Sequence, residues 1–230
     1  MKLLALDTST RYGSLALFED GKLLSLWVEA CQQSHNEKIL PELDRMLKSL
    51  HWTISDIDYF AAAQGPGSFT GLRIGISTVK ALAIPHRKKV VGVSTLEAFG
   101  LAGEWFSGSV CALLDARKEA YFVSIFDYEQ GQKQKCVLQD ELLSKDMLKE
   151  KLNTVRKPIL CVGLEDVVVL RSFLDQKNIF WISPGSFFPT AFYVGRLALR
   201  EIQANRVLEP KALLPKYGQD PHTKVKKITK

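Results

Sequence analysis

Two stretches of this 230-residue chain combine residue types and spacing that could do chemistry. The first is Asp7-Thr8-Ser9-Thr10, a carboxylate and three hydroxyls directly after the apolar run Leu3–Leu6. A carboxylate at a turn can hold a metal-bound nucleotide and neighbouring hydroxyls can orient it, so Asp7 and Thr8 are candidate cofactor-binding residues. Lone Asp-Thr turns also serve purely as local backbone caps. The second stretch is Gly65-Pro66-Gly67-Ser68-Phe69-Thr70-Gly71-Leu72-Arg73-Ile74-Gly75, between an apolar run and a helical pattern, where backbone N–H groups could cradle an anion. It is not a P-loop, because no Lys-Ser/Thr follows Gly71, and Thr70 occupies the third glycine position of a G-x-G-x-x-G motif. A third stretch lacks what a phosphate would need: after Asp115 the chain reads Ala116-Arg117-Lys118-Glu119, with no glycine to bring backbone close to the anion.

Other chemistries are excluded by pattern. Histidines 35, 51, 86 and 222 show no paired metal-ligand spacing, so no metal site is expected, and there is no G-x-S-x-G elbow for a serine hydrolase. Cysteines 31, 111, 136 and 161 form no C-x-x-C pair and sit in apolar surroundings, as reduced core thiols of a cytoplasmic protein do. No apolar run approaches ~18 residues, and Asp7 interrupts the first run too early for a secretory signal, so neither membrane nor export is expected. The formal net charge is +6. Six lysines against Asp220 make residues 211–230 +5, which leaves +1 for residues 1–210. The basic character belongs to the tail, which is either a nucleic-acid contact or a solvated end.

The elements that carry these stretches are written twice. Leu3–Leu6 ends at Asp7 and is followed by the runs Ser14–Phe18 and Leu23–Val28, joined by an Asp20-Gly21 hairpin signal. Val110–Leu114 ends at Asp115 and is followed by Ala120–Phe126 and Cys136–Leu138 across a turn at Gly131. Asp7 and Asp115 are 108 residues apart (115 − 7), as are Phe18 and Phe126 (126 − 18). Helical patterns follow at Ser34–Leu50, with Ser34 and Glu37 spaced as a capping box and Pro41 predicting a kink or the first turn, and at Ser144–Leu152. Strand runs at Tyr59–Ala63 and Ile159–Val162 then lead to helices at Ser68–Ile84 and Asp166–Leu174. Val90–Val93 and Ile179–Ile182 close the two halves, and Thr190–Asn205 is a final helix. The fold expected is α/β: two duplicated lobes, each a mixed sheet of βββαβα order flanked by helices, which is the plan of actin-like ATPase (ribonuclease H-like) proteins. The division expected is an N-terminal lobe at 1–105, a smaller C-terminal lobe at 106–209 whose last helix can pack back on the first, and a basic tail at 210–230.

Within Ser68–Ile84, Leu72, Ile76, Val79 and Ala83 form an apolar face, while Gly71, Gly75, Thr78 and Leu82 form a second face of mostly small residues. Glycine inside a helix costs ~1 kcal/mol against alanine, so a close neighbour should compensate. That neighbour is either the Ser34–Leu50 helix of the same lobe or another subunit. Phe187-Phe188, between two prolines, is an apolar pair that could cover a core edge or meet a partner.

Four segments carry a family resemblance: Leu6–Thr10, Ser34–Pro41, Gly65–Gly75 and Leu114–Tyr121. They resemble the TsaB family, the smaller actin-like paralogue in bacterial tRNA threonylcarbamoyladenosine biosynthesis. The glycine–proline–glycine stretch through Arg73 is the most specific of them. Asn36 stands where that family usually has Ser, and Lys216-Tyr217-Gly218-Gln219 departs from its usual Lys/Arg-Tyr-Leu-Arg. The resemblance implies a non-catalytic scaffold or activator that pairs with the catalytic paralogue TsaD and is a homodimer when alone. It implies no cofactor of its own; TsaE, as the hydrolysing partner, and the other partner subunits use ATP and Mg. It implies tRNA contact only through the complex, which transfers threonylcarbamoyl to the adenosine beside the anticodon. It also resolves the helix-face alternative toward an interface, with Phe69, Thr70, Gly71, Arg73, Ile74, Gly75, Ser77 and Thr78 expected on the second helix and Leu40, Asp44 and Leu47 on the first. The other readings are an independent small-molecule kinase or ATPase of the actin-like group, drawn from Asp7-Thr8, and a direct tRNA-binding module, drawn from the tail.

Overall fold

A computed structural model describes residues 1–30, 36–164, 170–174, 177–182 and 191–218. Cys31, Ser34, His35, Phe187, Phe188, His222 and the tail beyond Gly218 lie outside the described residues.

The echo in the sequence is an echo in space. Strands β1 (Lys2–Asp7), β2 (Tyr12–Glu19) and β3 (Lys22–Ala30) form an antiparallel meander, and β4 (Tyr59–Gly65) and β5 (Lys89–Ser94) add in parallel on the other side of β1, giving the order β3-β2-β1-β4-β5. The second sheet repeats this with β6 (Gly108–Asp115), β7 (Ala120–Glu129), β8 (Gln132–Ser144), β9 (Ile159–Gly163) and β10 (Ile179–Trp181), in the order β10-β9-β6-β7-β8. The two lobes are therefore α/β with mixed sheets, and Asp7 and Asp115 end the central strand of each.

Helices cover both faces of each sheet. Helix α1 (Asn36–Ser49) and helix α2 (Phe69–Ala83) bury Ile39, Leu43, Met46, Ile76 and Val79 against Leu4, Leu6, Leu15, Leu17 and Phe60. Pro41 is the sixth residue of α1, past its first turn. Ser68 caps α2, its Oγ accepting the Gly71 amide at 3.2 Å. Beyond the second sheet lie α4 (Lys145–Asn153), capped by Ser144, and the short α5 (Leu170–Phe173), which pack Leu148, Leu152 and Leu170 against Cys111, Val123 and Ile125. Cys111 and Cys161 are buried as expected; Cys136 is exposed, because most of β8 stands at the edge of its sheet.

Between the sheets lie α3 (Thr95–Leu101), which the sequence reading missed, and α6 (Ala191–Gln203). Helix α3 turns Leu96 and Phe99 to the second sheet and Ala98 and Leu101 to the first. Helix α6 returns from the second lobe to cover the first sheet with Ala191, Val194, Leu197 and Ala198. Each closes on one of the two echoed phenylalanines. A Cβ on Gly195 would lie 2.2 Å from the Phe18 ring, and one on Gly100 would lie 2.6 Å from the Phe126 ring. The helix following each sheet thus seats the other sheet's phenylalanine. Glu104 ties the pair, bonding Arg196 and lying 3.4 Å from Arg200. Among the described residues no helix is long and apolar enough to cross a membrane.

Candidate functional site

A cleft of about 630 Å³ opens where the two lobes meet. The β1–β2 turn contributes Ser9, Thr10 and Arg11, the loop into α2 contributes Gly67–Thr70, and the β6–β7 turn contributes Asp115, Ala116 and Arg117. Asp7 and Thr8, the expected cofactor-binding residues, are not on its wall. Asp7 is 2% exposed, and its Oδ1 accepts the Ser9 amide at 2.8 Å. The Thr8 hydroxyl donates to the Gly71 carbonyl at 2.7 Å. The Ser68 amide donates to the Ser9 carbonyl at 2.7 Å. These bonds lock the Asp7–Ser9 turn to the glycine-rich loop and take up the Ser68 and Gly71 amides, which are therefore not free to cradle an anion.

The lock needs the glycines. A Cβ at Gly71 would lie 1.9 Å from the Thr8 carbonyl oxygen, one at Gly67 2.5 Å from that of Ser9, and one at Gly75 2.5 Å from the Thr8 hydroxyl. The small-residue face of α2 therefore packs on the end of β1 inside its own lobe. Within the lobe, the close neighbour of Gly71 and Gly75 is thus β1 and not α1. Gly71 and Gly75 leave the interface set for this reason, and Leu47 leaves it because it is buried under α1.

What remains is an exposed row. On α2, Phe69, Thr70, Arg73 and Ser77 are exposed, with Ile74 and Thr78 half-buried beside them. On α1, Leu40 (53% exposed) and Asp44 are exposed. Two acids of α1 are answered within the helix, Glu42 by Arg45 and Asp44 by Lys48 at 2.6 Å, while Lys38 reaches Glu29 on β3. Helix α2 carries Arg73 and Lys80 and no acid at all.

The β6–β7 turn is unlike its counterpart. Asp115 is exposed and accepts the Arg117 amide at 2.9 Å. Arg117, Lys118 and Glu119 follow with φ of 67°, 53° and 58°, three successive left-handed residues without a glycine among them. Each of these positions carries a side chain where glycine would leave the backbone bare for a phosphate. With Asp7 sealed behind the opposite wall, the cleft is a poor fit to a metal-bound nucleotide.

Two further features were missed in the sequence. Past the turn Pro210–Ala212, the chain runs along α2 from its C-terminal to its N-terminal end. Leu213 is fully buried in the core beneath α2, and the Lys216 amide donates to the Gln64 carbonyl at 2.6 Å. Tyr217 then meets Phe69 with ring centroids 4.6 Å apart and accepts a hydrogen bond from Arg73 Nε at 2.9 Å. The segment keeps the expected Lys-Tyr and departs first at Gly218 (φ 69°), where a Cβ would lie 2.6 Å from the Phe122 ring. The first part of the basic tail, through Gly218, is thus a strap on the first lobe. The second missed feature is Asp140 (φ 50°), set on a bulged stretch of β8 and accepting the Ser94 and Ser124 hydroxyls, each at 3.0 Å. Burial raises its carboxyl above the ordinary value, partly offset by those two hydrogen bonds. It joins the second sheet to the N-cap of α3. An Asp tolerates the left-handed backbone at a bulge, but nothing in the pattern around it points to its partners.

Comparison with known proteins gives the family. The model for "TsaD: tRNA N6-adenosine threonylcarbamoyltransferase" matches residues 29–155, more than half of the chain. The chain belongs to this family, on its TsaB branch. It is 27% identical over 183 residues to the tRNA threonylcarbamoyladenosine biosynthesis protein TsaB of Bacillus subtilis, covering 76% of this chain and 80% of that protein. It is 33% identical over 155 residues to the Escherichia coli protein of the same description, covering 64% and 66%. The solved structure of YeaZ from Pseudomonas aeruginosa superposes with a TM-score of 0.79 at 26% identity, covering 94% of this chain and 99% of that one. The matched span runs from α1 through α4, across both lobes, and the actin-like arrangement of duplicated sheets is shared throughout.

Proposed function

We propose that this protein is a non-catalytic scaffold or activator in the formation of threonylcarbamoyladenosine in tRNA, acting by pairing with the catalytic paralogue TsaD. The observation that carries the non-catalytic part is the sealing of Asp7. The carboxylate that could place a metal-bound nucleotide is 2% exposed and spent on its own turn. The family's printed names supply the pathway, and the exposed row on α2 with Leu40 and Asp44 on α1 supplies the pairing surface. ATP and Mg then act on the partner subunits, TsaD and TsaE, tRNA meets this chain only within the assembly, and the chain alone forms a homodimer through the same surface. The work is that of a cytoplasmic complex.

The test is reconstitution of threonylcarbamoyl transfer to tRNA from purified subunits with ATP and Mg. Product is expected only when this chain and TsaD are both present, and this chain alone should yield none. Product from this chain alone would overturn the non-catalytic reading, and full activity without it would overturn the role.

An independent kinase or ATPase is favoured by one observation, the hydroxyls of Ser9, Thr10, Ser68 and Thr70 around a cleft that also holds Asp115 and two arginines. Calorimetric binding of Mg-ATP that disappears in Asp115→Ala would favour it.

A further inference from the structure

The row on α2 has a neighbour that the interface reading does not use. Arg73 lies with its guanidinium 3.9 Å over the Phe69 ring, and its Nε donates to the Tyr217 hydroxyl. Tyr217 in turn packs on Phe69. The strap that carries Tyr217 is held at two other points. Leu213 is sunk in the core, and the Lys216 carbonyl presses on Gly65, where a Cβ would lie 1.9 Å from it. Two aromatic rings and an arginine are thus fixed before any partner arrives, the residue types that dominate protein interfaces and the rigidity that lowers the entropy lost on binding.

We propose that the strap, residues 213–218, is a third element of the partner surface, and that Phe69, Arg73 and Tyr217 form its anchor, presenting the terminal N–H groups of Arg73 to a carboxylate on the paired subunit. This rests on the pairing read above. The chemistry of the occupant follows from charge. Among the described residues the bond to Tyr217 is the one hydrogen bond that Arg73 makes, and it uses Nε, leaving the parallel terminal donors of the fork on an exposed side chain. No acid on α2 answers it, and Glu42 and Asp44 of α1 are already paired within that helix. Thr70 and Ser77, on the same row, are short enough to let the partner's backbone come close to the fork. The complementary surface is therefore acidic at its centre and apolar around it, on TsaD.

The experiment is isothermal titration of the full chain against TsaD, with each variant's fold checked by circular dichroism and thermal melting. Tyr217→Ala should weaken pairing about 10-fold and Arg73→Gln about 10- to 100-fold, the range expected of a central anchor. Arg73→Lys should fare little better than Arg73→Gln, since an ammonium keeps the charge but not the fork. Because the two act as one unit, Arg73→Gln with Tyr217→Ala should be no weaker than Arg73→Gln alone. Tyr217→Phe, which keeps the ring and loses only the hydroxyl, should weaken pairing about 3-fold. Deleting residues 219–230 should change nothing. Unaltered affinity in folded Tyr217→Ala and Tyr217→Phe while the wild type pairs would overturn the strap proposal alone. Full rescue by Arg73→Lys would overturn the carboxylate fork. A wild-type chain that does not pair with TsaD would overturn the pairing reading, and the strap proposal with it.

Discussion

The two lobes end their central strands on the same residue and then part company. Asp7 is sealed, its oxygen turned back to the Ser9 amide, and the turn it begins is bolted to the loop before α2 through Thr8 and Gly71. Asp115 stands in the cleft on a turn of three left-handed residues, tied to the start of α4 by the Lys145 amide on the Glu119 carbonyl at 3.3 Å but with no glycine-rich loop packed on it. A duplicated frame therefore holds two unlike corners. In the first lobe the corner has become packing, and it fixes the start of the helix that carries the exposed row. In the second the corner stays open but carries side chains where a phosphate would need bare backbone. The strand order is the same in both lobes and each carboxylate accepts the amide two residues on, but only Asp115 lines the cleft.

That contrast can be broken most sharply at glycine. Gly71→Ala puts a methyl 1.9 Å from a carbonyl oxygen and should cost about 3 kcal/mol or more in urea unfolding, or abolish folding. Gly131→Ala in the second lobe meets open space, and only its φ of 77° is penalised, so about 1 kcal/mol is expected. Equal losses would remove the distinction. The carboxylates give the next largest contrast. Asp7→Ala leaves a buried amide without its acceptor and should cost about 1–3 kcal/mol, while Asp115→Ala should stay within about 0.5 kcal/mol.

The smallest effect concerns the joint between the lobes. Asp140, near Glu97 and Lys216, has a carboxyl raised above the ordinary value of 3.8, with burial as the largest cause. The folded state then holds this proton more tightly than the unfolded chain. Stability from this group is complete at low pH and is lost as pH rises from near 3.8 through the raised value. Asp140→Asn keeps an acceptor for Ser94 and Ser124 and should flatten that slope, a change well under about 1.4 kcal/mol per pH unit in urea melts from about pH 4 to about pH 7. An unchanged slope would show that Asp140 does not couple the lobes to pH.

The βββαβα order, the duplication and the span of α2 were legible because each rests on local pattern: successive apolar runs, the Asp20-Gly21 turn, the repeated 108-residue spacing and the helical apolar face of Leu72, Ile76, Val79 and Ala83. Helix α3 was not, because Leu96 and Phe99 face one sheet while Ala98 and Leu101 face the other, so a helix buried on both sides shows no stripe. Its one clue was Ser94 three residues before Glu97, whose amide the Ser94 hydroxyl accepts at 3.2 Å. The glycine face of α2 was read as a close approach, but its neighbour at Gly71 and Gly75, the end of β1, was not foreseen, since sequence spacing reports that a helix is bare but not what lies against it. Tyr217 and Arg73 are 144 residues apart, and no periodicity links them.

The exchange of helices between the sheets bears on the order of synthesis. When the first hundred residues have left the ribosome, the face made by Leu3, Ala5, Ala16 and Phe18 still has no cover from α6, whose residues 191–203 come near the end of the chain. The opposite face waits even longer for Leu213. The N-terminal lobe cannot complete its interior as it emerges, so the nascent chain carries apolar surface through most of its translation, and a truncated N-terminal half is expected to leave that surface uncovered.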